Sequence, residues 1–577
     1  MKLVIVESPA KSKKIAGYLG PGWRIEACLG HVRDLPESSL GVAIDADFRP
    51  TYEVLPGKGH VVKKLLKAMK EAEAVYLATD PDREGEAIAW HLLMLATLPQ
   101  DKPIYRALFH AITKEAVQEA VANPQTLDGN LVEAQQARRI VDRLVGYLAS
   151  PLAARALDGK YSAGRVQSVC LRLVVERERE IEAFKPELYW TLNLKLAAEG
   201  QEFTARLSRV KEAEGTTKTR DPLERLTTLL QTARLWVHKT VKTVKTRSPL
   251  PPFTTSSLQQ AASKGLGLSP DRTMALAQTL YEQGWITYMR TDGVSIAPEA
   301  QSSAQAYIAG EYGADYLPPE PPLYIGKTLN AQDAHEAIRP TDVNRLPQEV
   351  AGDGAALYSL IWKRFVASQM APARYAATGA VIHAGKAQGQ PYPIEFRAQG
   401  RTMLFDGFLK VYEEPSDDGD ETDEASEILP HLTDNQMLTL ITPQVEEHQT
   451  RSLARYTEAS LVQALEQRGI GRPSTYASMI KTVKDKGYIK LSQKRLIPTE
   501  NGRTLCGFLS AHFADVLADH YTAQLETQLD EVAAGRSTRL DVLRAFWQGF
   551  QPQLAQAAAS VVTPTPLKPL MLRPAEE

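Results

Sequence analysis

The chain has 577 residues, enough for several domains each with its own core, and its 43% hydrophobic and 24% charged content is that of an ordinary soluble globular fold. A formal net charge of -2 excludes a globally basic nucleic-acid binder, so any DNA contact must come from local clusters of Lys and Arg. No apolar run approaches the ~20 residues that span a bilayer, and Met1 leads straight into a strand pattern without a secretory leader, which points to a cytoplasmic protein without a membrane role.

Residues 2–6 form an apolar strand followed at once by Glu7, Ser8, Pro9, Ala10 and Lys11, with a helical pattern from Lys13. Two loops follow, 30–36 (GHVRDLP) and 57–60 (GKGH), in which His31 and Arg33 could reach a phosphate. A second apolar strand, 74–78, ends in Thr79 and then in three carboxylates two apart, Asp80, Asp82 and Glu84, before a helix from Gly85. Each unit reads as strand, turn, helix, and in an open α/β sheet such turns lie at the carboxyl ends of the strands, where ligands bind. Acidic residues also cap helices, so the turn could be no more than a cap. Two adjacent parallel strands, however, would bring Glu7 and Lys11 beside Asp80 and Asp82. Like charges so close call for protons or a cation, and oxygen ligands open to water suit magnesium. An acidic patch beside a phosphate-seeking Lys is the layout of metal-assisted phosphoryl transfer. Residues 106–121 then read as strand and helix, with Thr113 as N-cap and Glu115 in the first turn.

From 131 to 180 the pattern is helical and basic. Arg139 and Arg143 share a helix face one turn apart, next to Asp142, which could orient them. Ser162, Gly164, Arg165 and Gln167 lie in a tight turn that opens a second helix, where free N–H groups suit a phosphate backbone. Alternation over 188–245 and again over 374–449 predicts one discontinuous β domain, with an acidic, mobile loop at 416–427. The interruption carries helices capped near Thr254 and Ser269 and a C-terminal Gly284. Residues 285–292 (WITYMRTD) then predict a short strand projecting Tyr288 and Arg290 to one side. A phenol of pKa about 10 is only about a thousandth ionised at neutral pH, so a nucleophilic tyrosine needs a cation, which Arg290 could supply. His335 and Arg339 lie on a turn further on. Beyond 450 the helices return: Thr457 caps one, Arg472, Pro473, Ser474 and Thr475 open another as an anion site, and a hairpin over 487–499 follows, as in a winged helix. The proline-rich tail from 561 reads as disordered.

The strings VIVESPAKSKKI, GHVRDLP, LATDPDREGEAIAWHL, AQQARRIVDRLVGY, SAGRVQSV, ITYMRTD, AHEAIRP and GIGRPSTYASMI, in this order from residue 4 to residue 480, resemble the type IA DNA topoisomerases of the bacterial topoisomerase I group. The resemblance implies a multidomain α/β plus α+β fold in a padlock-shaped ring. It implies a Toprim domain over 1–127, a helical, winged-helix-like DNA-binding domain over 128–186 and 450–560, and a β-rich arch over 187–248 and 374–449. A helical domain with the nucleophile covers 249–373, and 561–577 is a disordered tail. It implies that Tyr288 attacks a phosphodiester of single-stranded DNA and takes the 5′ phosphate, with Arg290 and Lys11 stabilising charge and Glu7 as acid and base. His335 and Glu282 match supporting positions. Asp80, Asp82 and Glu84, with Glu7, match magnesium ligands, and His31, Arg139, Arg143, Ser162, Arg165, Gln167, Arg472, Ser474, Thr475 and Lys486 match the strand-binding groove.

The implied enzyme is a monomer that relaxes negatively supercoiled DNA at the bacterial nucleoid. It needs no ATP, and Gly326-Lys327-Thr328 indeed has Pro321 where a phosphate-binding loop requires Gly. Cys28, Cys170 and Cys506 include no C-x-x-C pair, so no zinc is expected; without the zinc ribbons of many relatives, relaxation should be weak or distributive. A Toprim nuclease or primase shares the acidic set but needs no tyrosine, and a strand-binding clamp would need neither.

Overall fold

The structure, a computed structural model, describes residues 1–210, 213–325, 336–415, 429–515 and 518–562. His335, the acidic loop at 416–427 and the tail from 563 lie outside the described residues. Among the described residues no helix is long and apolar enough to cross a membrane.

The amino-terminal unit is a four-stranded parallel sheet in the order Trp23–Ala27, Lys2–Val6, Val75–Leu77, Ile104–Arg106. The two strands that precede the acidic turns are direct neighbours, with Leu3 opposite Val75 and Ile5 opposite Leu77. Side chains alternate between the faces of a strand, and here each face has its own cover. Leu3, Ile5, Val75 and Leu77 pack on helices Gly59–Glu71 and Arg83–Leu95 through Leu65, Met69, Ile88 and Leu92. Val4, Val6, Tyr76 and Ala78 face the other way, into a core that runs on without a break into Leu276, Leu280, Tyr281 and Tyr288 of the inserted lobe.

The discontinuous β segment closes on itself. Strands Gln201–Val210, Gln390–Phe405, Ala373–Ala387, Arg234–Arg247, Met437–Gln449 and Leu188–Ala198 pair antiparallel in that order, and the last returns to the first. Closure leaves no edge among these six. Leu192, Leu194, Phe203, Ile382 and Phe396 fill the interior. Past a bulge between Val237 and Lys239, Arg234–Arg247, Ala373–Ala387 and Gln390–Phe405 continue together as a ribbon, and the first two carry the chain into and out of the inserted lobe. In that lobe Thr254 and Ser257 form a reciprocal cap for helix Thr255–Leu266, Ser269 caps Pro270–Glu282, and Gly284 at φ 66° ends the latter. The segment after Gly284 is no regular strand. Ile286 and Thr287 make isolated bridges to Pro340 and Ala111, and the chain bends at Met289 and Arg290.

Helices Gly129–Ala156 and Arg165–Ala183 share a core with Glu458–Gln467, Tyr476–Asp485, Glu500–His512, Asp519–Ala533 and Arg539–Val562, through Leu144, Leu171, Leu465, Ile480, Leu525 and Leu543. The hairpin Ile489–Ser492 with Arg495–Pro498 turns through Gln493 and Lys494, both at positive φ. Pro473 does not occupy the first turn of a helix; the helix begins at Tyr476 and Pro473 sits in the turn before it.

Candidate active site

The two acidic turns meet because their strands are paired. Ser8 accepts from Lys11 N and starts one helix; Asp82 accepts from Gly85 N at 2.8 Å and starts the other. The cap reading of the acidic turn therefore holds for Asp82, but it uses only one of that residue's oxygens. Asp80 N donates to Glu7 Oε1 at 3.1 Å, and Lys11 Nζ bridges Glu7 Oε2, at 3.3 Å, and Asp80 Oδ1. Burial, then the Glu7 carboxylate, pushes Asp80 well above the usual carboxylate range; Asp80 and Glu7 in turn outweigh burial at Lys11 and keep its ammonium protonated. A like-charge corner of hard oxygen donors that a cation would relieve fits magnesium in kind. As the side chains stand, no three acidic, His or Cys groups converge into a metal cluster among the described residues. Lys11 stands between Glu7 and Asp80, and Glu84 is turned to His31 at 3.2 Å and Gln135 at 3.1 Å.

Tyr288 reaches this corner from the inserted lobe. Its hydroxyl donates to Asp82 Oδ2 at 2.6 Å, across 206 positions of chain, and its backbone N–H donates to His110 O at 2.7 Å. Arg290 Nη1 lies 3.5 Å from the same Asp82 oxygen. The two side chains thus share a target although the backbone between them bends. Sequence reasoning expected Arg290 to lower the phenol's pKa. Instead burial, then Asp82 and Asp80, raises it well above 10, because Tyr288 is only 2% exposed and the carboxylates outweigh one guanidinium. The closed site therefore stores a neutral phenol bonded to a carboxylate. Glu282, half-buried, accepts from Gln278 Nε2 at 2.9 Å and adds to the field that keeps Lys11 charged. Tyr281, which sequence reasoning passed over, is fully buried with its ring under the Lys11 ammonium at 5.2 Å and edge-on to Tyr288 at 5.2 Å. The signal was its place in the last turn of the helix that leads to the nucleophile.

The residues expected to bind the strand fall into separate groups. Arg139 makes a forked pair with Asp34 at 2.8 and 2.6 Å, and Arg143 donates to the carbonyls of Pro36, Ser39 and Leu35. Asp142 hydrogen-bonds neither; it takes Arg165 Nε at 3.0 Å. Arg165 is buried and also reaches Glu526, while Arg472 reaches Asp530. Ser162 Oγ accepts from Lys486 Nζ, and its N–H donates to Tyr488 OH at 2.8 Å. Gln167 folds over Gly164, where an added Cβ would lie 2.4 Å from its Nε2. Ser474 is half-buried, and Thr475 Oγ1 accepts from Arg472 N at 2.9 Å. Arg33, expected near phosphate, stacks between Trp90 and Tyr52 and donates to His91 Nδ1.

Comparison with known proteins gives the family. Residues 126–544 match the DNA topoisomerase family and residues 2–112 the Toprim domain. "DNA topoisomerase 1" of Zymomonas mobilis is 45% identical over 96% of this chain, which covers 46% of that protein. "DNA topoisomerase 1" of Rickettsia bellii is 44% identical over 98% of this chain and 72% of that protein. The chain thus spans about half the length of the first of these relatives. The solved full-length topoisomerase I of Thermotoga maritima superposes with a TM-score of 0.83 at 38% identity, over 96% of this chain and 90% of that one. With a Toprim corner, a tyrosine brought to it from an inserted lobe and a family match over most of its length, the chain belongs to the type IA DNA topoisomerases, in the bacterial topoisomerase I group.

Proposed function

We propose that this protein breaks one strand of DNA by transesterification to Tyr288, lets another strand through, and reseals the break, acting on single-stranded segments of negatively supercoiled DNA. The observation that carries the reading is the Tyr288 hydroxyl, held 2.6 Å from Asp82 at the acidic corner. In the forward step a bond forms between the phenolic oxygen and phosphorus as the bond from phosphorus to the 3′ oxygen breaks. Asp82 takes the phenolic proton, and Glu7, beside Lys11, relays to the leaving oxygen the proton that the neighbouring Asp80 carboxyl holds. Arg290 and Lys11 flank the acidic turn and offset the charge that develops on the phosphoryl oxygens. One phosphodiester is exchanged for another, so no nucleotide fuel is required and supercoiling strain drives relaxation. Glu7, Asp80 and Asp82, with Glu84 beside them, would hold magnesium, which would supply positive charge at this corner.

The phenol is buried, so the strand can enter only when the seam between the sheet and the lobe loosens. That seam includes the Tyr288 N–H bond to His110 O, the bridge between Ala111 and Thr287, and the contact of Lys14 Nζ with Gln283 O. The test is adduct trapping with a labelled single-stranded oligonucleotide and denaturant quench. Wild type should carry the label covalently and Tyr288→Phe should not, while still binding the oligonucleotide. A Toprim nuclease or primase would keep its activity in the Phe variant, and a clamp would form no adduct at all; either result overturns the reading.

A further inference from the structure

Four guanidiniums from four segments converge on one side of helix Asp519–Ala533. Thr522, Glu526 and Asp530 follow one another a helical turn apart, so they line that side, and they are 0%, 0% and 5% exposed. Asp530 accepts from Arg83 at 2.8 Å and from Arg472 at 2.6 Å. Glu526 accepts from Arg138 at 2.8 Å and from Arg165 at 3.0 Å, and Asp142 takes Arg165 Nε. Burial opposes ionisation of Glu526, but Arg138, Arg165 and Arg472 outweigh it and hold its carboxyl down to about 2.

Two features set this cluster apart from a structural ion pair. Four guanidiniums bond to three carboxylates, Glu526, Asp530 and Asp142, so the directly bonded groups carry one more positive charge than negative where unbalanced charge is costly. Polar atoms are also left over: Nη1 of Arg83 and Nη1 of Arg165 are buried with no hydrogen-bond partner among the described residues, as are Glu526 Oε2 and Thr522 Oγ1. Arg83 sits between Asp82 and Glu84, so the cluster is joined to the acidic turn through a single residue. Acids are a liability beside a polyanion unless they orient the cations that meet it.

We propose that Glu526 and Asp530 are positioning residues, which hold Arg165 and Arg472, and through Arg83 the acidic turn, in the orientation that receives the strand, with the surplus charge left for one backbone phosphate. This rests on the proposed single-strand activity. The test uses the whole chain in a Tyr288→Phe background, so that binding is read without chemistry, and follows the affinity for a fluorescent single-stranded oligonucleotide across a salt series. Glu526→Gln should weaken binding roughly tenfold or more. It should also flatten the slope of log affinity against log salt by about 0.7 for each phosphate the variant fails to neutralise. Asp530→Asn should act in the same direction, and Glu526→Asp should recover part of the loss.

Removing an acid that merely offsets charge would instead tighten binding and steepen the slope; that result, or an unchanged affinity and slope, overturns the proposal. A purely structural role would lower the folded fraction and leave the slope of the folded protein alone. If Glu526→Gln does not fold, Asp530→Asn decides by the same outcomes, and if neither folds the acids serve folding and the proposal falls. Absence of a covalent adduct in wild type would sink the strand-breaking reading separately, whatever the variants do.

Discussion

Gly85→Ala sets two effects of opposite sign against each other. In the interior of an exposed helix this change stabilises by ~1 kcal/mol, because alanine is the better helix former. Gly85 lies in the first turn of Arg83–Leu95, folded back on the acidic turn, and a Cβ there would lie 2.1 Å from Asp80 O, 2.8 Å from Asp80 N and 2.9 Å from Asp80 C. All three are backbone atoms, and Cβ contacts under 3.0 Å essentially do not occur, so the turn has to retreat. The retreat is about an ångström, which for reacting groups costs on the order of 10²-fold in rate. Asp80 N bonds Glu7 and Asp80 Oδ1 bonds Lys11, so the displacement pulls apart the groups assigned to proton transfer and charge stabilisation. Overpacking of this kind costs ~1–3 kcal/mol, more than the helix gains. The expected variant is therefore less stable, forms the covalent adduct about 10²-fold more slowly at saturating oligonucleotide, and binds the strand with affinity near wild type. A variant that melts higher than wild type and cleaves at an ordinary rate would refute the idea that the backbone approach of Gly85 to Asp80 sets the corner.

Arg106 is buried, with Nε on Glu86 Oε2 at 2.7 Å and its other nitrogens on the carbonyls of Leu77, Thr79 and Asp80. Arg106→Met should cost about 3–5 kcal/mol in urea unfolding, because Glu86 is left uncompensated; a loss below about 1 kcal/mol would show that solvent reaches it. At the hairpin, Gln493→Asn with Lys494→Gly suits the positive φ at both positions and should raise stability by about 1 kcal/mol, seen as a higher denaturant midpoint with unchanged slope. His91 is held down to about 3 by burial and then by the Arg33 guanidinium, against an ordinary value of 6.5. The unfolded chain therefore binds the extra proton between these values, so His91 leaves stability untouched above about pH 6.5 and erodes it as pH falls toward 3. The thermal midpoint of wild type should drop more steeply from pH 7 to pH 5 than that of His91→Gln; parallel curves would contradict the assignment.

The units that carry the chemistry were legible in the chain because they obey local rules. Ser8 and Asp82 cap helices after apolar strands, Thr254 and Ser269 cap two more, and alternation marked both halves of the β segment, all of which depend on residues a few positions apart. The departures came where contacts between distant segments decide. The bend at Met289 and Arg290 replaces a regular strand because Ile286 and Thr287 are taken by partners from elsewhere. Asp142 serves Arg165 and not Arg139, and Asp34 takes Arg139 from a two-residue strand 105 positions away. Glu526 and Asp530 carry no mark of their own in the sequence, and only packing places four arginines against them. Spacing of three and four positions announces a helix face, but it carries no information about what that face will meet. The raised pKa of Tyr288 has the same origin: desolvation is a property of the closed assembly, in which a core continuous from sheet to lobe seals the phenol against the acidic turn.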